Sequence, residues 1–145
     1  MWFWPLSSTL PPRIDVTRAD IERVVAVFYK RIRSHPTLGP VFAKSIPATR
    51  DAWAPHEAKI ANFWANAILH ERSYSGNPMA VHMSTPHVHA EHFPIWLDLF
   101  EECLRDILTP PQADSFNAFA RRIGRGLQMG MIYRNPDPDQ PPSLL

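Results

Sequence analysis

Cysteine, strand patterning, glycine pairs and unbalanced charge are all scarce in this chain, and each scarcity excludes something. The one cysteine, Cys103, rules out an intrachain disulfide and points to a reducing, cytoplasmic setting. With 15 basic and 14 acidic residues the formal net charge is +1. Such a balance, with no basic stripe, argues against a nucleic-acid partner, and no run of like charges suggests a membrane-surface patch. No apolar run approaches transmembrane length. The apolar start Met1–Leu6 is short and has no positive residue before Arg13, so it does not read as a signal peptide. Gly-x-Ser-x-Gly, phosphate-cradling glycine loops, Cys-x-x-Cys and His-Glu-x-x-His are also missing, which removes the common hydrolase, nucleotide and zinc signatures. No period-two alternation and no internal repeat is present, so the chain reads as all-α.

What is present suits one compact domain. The chain is 145 residues long, 45% hydrophobic and 11% aromatic, enough for a real core. Its 16 prolines crowd both ends and the breaks between helical patterns. A single domain over 1–145 is expected, with a flexible extension at 1–15 and a flexible tail at 135–145.

Four long helices are expected. The first runs from about Thr17, a capping residue with Asp20 three positions on, to Arg33. Its face is Ile21, Val24, Val25, Phe28 and Ile32, shared by Tyr29. Pro36 stops it, and a tight corner follows at Leu38–Phe42. The second runs from about Asp51 to His70, with Trp53, His56, Ile60, Phe63, Trp64, Ala67 and Ile68 on one face and Pro55 in the first turn. The third runs from about Ala90 to Leu108, with Phe93, Trp96, Leu97, Phe100, Leu104 and Ile107 facing inward. Thr109-Pro110-Pro111 breaks the chain. The fourth runs from about Gln112 to Tyr133, where Gly124, Gly126 and Gly130 would admit a closely packed neighbour. Cys103 falls on a helix and reads as a small apolar packing residue. The adjacent Glu101 and Glu102 read as a solvated helix face.

The connector from Arg72 to Ala90 is long for a compact domain. It carries His82, His87 and His89, with a short helix expected around Pro78–Met83. Seven histidines and the aromatics Phe28, Phe42, Phe63, Trp64, Phe93, Trp96 and Phe100 leave three readings open. One is a ligand enclosed between helices, with His56 and His82 facing it. Another is a divalent-metal protein using His82, His87, His89 and His92. The third is a cofactor-free four-helix interaction module whose aromatics are only core.

Four ordered motifs extend the reading. They are Phe28-Tyr29 with Leu38-Gly39-Pro40-Val41-Phe42; Trp53-x-x-His56-x-x-Lys59-Ile60-x-Asn62-Phe63-Trp64; Tyr74-x-Gly76-x-Pro78-Met79-x-x-His82; and His92-Phe93-x-x-Trp96-Leu97-x-Leu99-Phe100-Glu101-Glu102. Together they resemble the group III truncated haemoglobins, small bacterial haem proteins. The chain has no Gly-Gly pair, unlike group I and II relatives. The resemblance implies a globin-like, two-over-two helical sandwich around haem b, with the four helices as B, E, G and H. It implies His82 as the proximal iron ligand, its second ring nitrogen donating to a backbone carbonyl. It places Tyr29, His56 and Trp96 in the distal pocket. Phe42, Ile60, Phe63, Trp64, Met79 and Phe93 are left to line the cofactor. Arg72, Tyr74, His87 and His89 are candidates for the propionates.

The function so implied is binding of O2, and of NO and CO. Tyr29 O–H and Trp96 N–H would donate to bound O2, which suits retention or O2/NO redox chemistry better than transport. His56 would act as a gate, or as a sixth iron ligand. NO dioxygenation or peroxidase-like turnover would need an external electron-donor reductase. A monomer or weak dimer is expected, with no nucleic-acid or membrane partner.

Overall fold

The computed structural model describes residues 11–44, 50–72 and 89–134. Five helices occur among them: α1 (Arg18–Ser34), α2 (Leu38–Ala43), α3 (Arg50–Leu69), α4 (His92–Ile107) and α5 (Pro110–Arg134). No strand occurs among the described residues. The four long helices are those the periodicity predicts. Helix α1 packs on α3 and on α4, and α4 packs on α5. The result is one helix pair laid over another. The helix expected around Pro78–Met83, together with Met79, His82 and His87, lies outside the described residues.

Local chemistry explains the helix ends. Thr17 accepts from Asp20 N–H, and the Asp20 carboxylate accepts from Thr17 N–H, a reciprocal capping box. Those bonds, then Arg23, hold the Asp20 carboxyl below its ordinary range. The corner after Pro36 becomes α2 rather than a turn. Thr37 gives no side-chain cap. Instead His35 Nδ1 accepts from the N–H groups of Thr37 and Leu38 at 3.1 and 3.2 Å. Gly39 lets this short helix press on the end of α1: a Cβ there would lie 3.0 Å from the Arg33 carbonyl oxygen and 3.2 Å from that of Ile32. At the start of α5, Thr109 and Gln112 form another reciprocal pair. Pro110 and Pro111 therefore open this helix rather than break the chain, because the first helical N–H groups need no intrahelical partner. In α3, Pro55 falls in the second turn, not the first, since the helix already begins at Arg50. It forfeits one ladder bond there.

The core is formed by the inward faces: Ile21, Val24, Val25, Phe28, Tyr29 and Ile32 of α1; Trp53, Ala61, Trp64, Ala65 and Ile68 of α3; Leu97, Leu99, Phe100, Cys103 and Leu104 of α4; and Ala113, Phe116 and Ala120 of α5. Burial pushes the Cys103 thiol up. Cys103 packs as the small apolar residue expected. Gly124 admits Leu97, whose Cδ1 would lie 2.9 Å from an added Cβ, but nothing lies within 4 Å of such an atom at Gly126. Gly126 is exposed, so close packing explains the first glycine and not the second.

A strap of residues ahead of α1 closes the seam between α1 and α3. Ile14 and Val16 are buried. Arg13 N–H donates to the Ile68 carbonyl at 2.9 Å, His70 Nε2 bonds the Pro11 carbonyl at 2.9 Å, and Gln112 Nε2 donates to the Asp15 carbonyl at 2.7 Å. His70 takes a left-handed φ of 62°, the conformation that ends helices, and its ring bond to the strap helps to hold it there. Arg18 completes the closure. It binds Glu71 at 2.6 Å and Glu22 at 3.2 Å, and it donates to Asn62 Oδ1.

Candidate functional site

Aromatic rings of α1, α2 and α3 meet in a box. Tyr29 faces inward one turn after Val25, and its ring lies edge-on to His56, with centroids 5.0 Å apart at 87°. Phe42 of α2 is 6.2 Å from both Tyr29 and His56. Trp53, one turn before His56 on α3, is 5.8 Å from Tyr29, 5.9 Å from Phe42 and 5.7 Å from His56. Tyr29 and Trp53 are buried, whereas Phe42 and His56 are half-buried.

Two electrostatic features mark the box. Burial, reinforced by the charge of Glu57, pushes the Tyr29 phenol well above its ordinary pKa, so the hydroxyl stays protonated and able to donate. At the outer wall the Arg33 guanidinium lies 5.0 Å from the Trp53 ring centroid, and Arg33 Nη1 pairs with Glu57 Oε2 at 3.2 Å. Cation and ring attract in this arrangement, which ties the end of α1 to the start of α3.

A second aromatic group lies behind the first. Phe28 joins the two, with its ring centroid 5.1 Å from Tyr29 and 5.0 Å from Trp96. Trp96 stacks on Phe100 at 5.3 Å and 11°, and Trp64 stacks on Phe100 at 5.5 Å and 15°. Phe116 of α5 meets both Phe100 and Trp64 edge-on. The indole Nε1 atoms of Trp53 and Trp64 are buried without a hydrogen-bond partner among the described residues. Each such omission costs on the order of 1–3 kcal/mol.

The residues singled out in the sequence are thus placed unequally. Tyr29, His56 and Phe42 come together in one box. Trp96 joins them through Phe28 from the α4 side. Phe63 is half-buried edge-on to Trp64, Ile60 is half-buried against the core, and Phe93 is buried near the start of α4. Met79 and His82 lie outside the described residues, as do Tyr74 and His87 among the propionate candidates; His89 and Arg72 are exposed. The pocket reading missed Trp53 and the Arg33–Glu57 pair. The signal for Trp53 was its three-residue spacing from His56, which puts both on one helix face. Among the described residues, no group of three or more His, Cys, Asp or Glu side chains is placed to hold a metal ion. No described helix is long and apolar enough to cross a membrane.

Comparison with known proteins agrees with this architecture. No family model matches the chain. The group 3 truncated haemoglobin ctb of Campylobacter jejuni is 34% identical over 119 residues, spanning 82% of this chain and 93% of that relative. The crystal structure of a group III truncated haemoglobin from Campylobacter jejuni superposes with a TM-score of 0.75 at 33% identity, covering 79% of this chain and 90% of the other. An all-α sandwich of four long helices, a Tyr29–His56 box and a relative matched along nearly its whole length lead to one assignment: the chain belongs to the group III truncated haemoglobins.

Proposed function

We propose that this globin holds haem b between α3 and α4 and binds O2, NO or CO on its Tyr29 side. The observation that carries the reading is the box itself: a buried, protonated Tyr29 phenol set edge-on to His56 inside an aromatic wall. Its aromatic surface and its buried indole N–H without a partner suit a flat apolar cofactor bearing a polar guest. His82 is the proposed proximal ligand. Phe42, Ile60, Phe63, Trp64, Met79 and Phe93 are the proposed apolar contacts. Haem b supplies the iron centre that takes a diatomic ligand.

The chain's own residues set how the guest is held. Tyr29 donates its hydroxyl proton, because burial keeps the phenol neutral. Trp96 can only donate through Nε1. Hydrogen bonds to an acceptor carrying partial charge are the stronger kind, so O2 would be retained more firmly than CO. His56, half-buried at the edge of the box, is the proposed gate to entry. Turnover of NO would draw electrons from a separate reductase.

The test uses protein purified from haem-sufficient cells. An intense Soret band is expected in the wild type and a changed five-coordinate spectrum in His82→Ala. Tyr29→Phe and Trp96→Phe should each raise the O2 dissociation rate about tenfold, the equivalent of one good hydrogen bond. Colourless protein would sink the haem reading, and unchanged rates in both variants would sink the proposed donors. Reductant-supported NO consumption by the oxygenated protein would separate redox turnover from simple retention.

A further inference from the structure

Trp53 has a polar atom for which the described residues provide no acceptor. The residue is 3% exposed, and its buried Nε1–H makes no hydrogen bond. An indole nitrogen can donate and cannot accept, so the fold bears the full desolvation cost of that group. Trp64 bears a similar cost, but its ring neighbours are the hydrocarbon rings of Phe63, Phe100, Phe116 and Phe119. The ring of Trp53 instead borders Tyr29, Phe42 and His56, two of which carry polar atoms. Its position is also fixed from outside. Arg33 lies over the ring and is itself paired with Glu57, so an unsatisfied donor is kept in place rather than turned out to solvent.

We infer that Trp53 is a specificity-determining residue of this pocket, its Nε1–H donating to guests that carry negative charge on their outer atom. It would thus favour O2 over CO beyond what Tyr29 and Trp96 provide. The inference rests on the haem reading above and adds a donor to it. A guest-facing donor predicts an asymmetry that a packing role does not. Without a guest, removing the N–H relieves a desolvation cost; with a charged guest, it removes a bond.

Trp53→Phe keeps a ring and deletes the N–H. In the haem-loaded protein, O2 dissociation should rise about tenfold, CO dissociation should change little, and the C–O stretching frequency of bound CO should move up as the positive field weakens. In the haem-free protein the denaturation midpoint should hold or rise. In the double variant with Tyr29→Phe, the two effects on O2 release should fall short of additive if both donors share one acceptor. A variant-free measurement guards against misfolding: the assigned Trp53 indole N–H resonance of ferrous wild-type protein should lie further downfield with O2 bound than with CO bound. Unchanged O2 release and an unchanged C–O frequency in Trp53→Phe overturn the inference, as does an indole resonance at the same position in both ligand states. A lower midpoint with unchanged ligand rates overturns it in favour of packing alone. Wild-type protein that takes up no haem overturns the haem reading and this inference together, whereas the other failures leave the haem reading standing.

Discussion

The aromatic box of α1–α3 and the aromatic stack of α3–α5 are built from similar rings but organised differently. In the stack, Trp96, Phe100 and Trp64 lie nearly parallel, and Phe100 and Phe116 are fully buried. In the box, Tyr29, Phe42, Trp53 and His56 meet edge-on or tilted, two of them half-buried, and three of the four carry nitrogen or oxygen. Parallel ring faces maximise buried area and dispersion. Tilted rings with polar atoms sacrifice some of that and gain directed donors. The stack is therefore where most of the stability should reside, and the box, with Trp96 at the end of the stack, is where ligand chemistry should reside.

The sharpest way to break the stack is Phe100→Ala. Its ring touches Phe28, Trp64, Trp96 and Phe116, and its loss should cost about 3–5 kcal/mol in denaturant unfolding. Tyr29→Phe, which keeps the ring and removes only the hydroxyl, should stay within about 1 kcal/mol while changing ligand release. Equal stability losses in the two variants would abolish the distinction. Gly124→Val comes next. It drives a side chain into Leu97, behind the stack, and should cost about 1–3 kcal/mol by overpacking. Gly126→Ala, with open space around it, should instead gain up to about 1 kcal/mol from helix propensity.

The box has its own signature in pH. Burial raises the Tyr29 pKa in the folded state, so the folded chain keeps a proton that the unfolded chain gives up. Stability from this group is complete below the ordinary tyrosine pKa of about 10 and is lost as pH rises beyond it. Thermal melts from neutral to alkaline pH should show wild type falling more steeply than Tyr29→Phe, and parallel curves would deny the phenol its buried, neutral state. The smallest effect belongs to the rim. Arg121 binds Glu101 at 2.6 Å and Asp98 at 3.0 Å, and Arg121, then Arg105, holds the Glu101 carboxyl below its ordinary range. Arg121→Gln should cost less than about 1 kcal/mol, a loss that salt should shrink and that should vanish as acid protonates Glu101.

Much of this was legible in the chain, and the exceptions have physical causes. Thr17 with Asp20 announced the first helix because a capping box is local in sequence. The four long faces were visible because burial imposes a 3.6-residue period on apolar residues. Helix α2 reads as a corner in the sequence, since its start is capped by His35 from outside the usual capping position. Pro110 and Pro111 read as a break in the sequence, although Thr109 and Gln112 stand on either side to cap a helix that begins with them. In the site, the motifs pointed to Tyr29, His56 and Phe42, which do converge. Spacing puts Trp53 on the helix face of His56, but its contacts with Phe42 and Arg33 depend on where α2 and the end of α1 lie in space.

The strap ahead of α1 also governs when the protein can be finished. Its three fastenings reach Ile68, His70 and Gln112, so residues made before α1 wait for partners made much later. Long-range closures of this kind delay folding, because chain entropy must be lost before the contacts reward it. The first helix can form early, yet the Tyr29 wall that it carries becomes a pocket only after α3 has emerged, and the seam beneath it locks only when the start of α5 arrives. Assembly of the proposed ligand site is thereby tied to synthesis of nearly the whole domain.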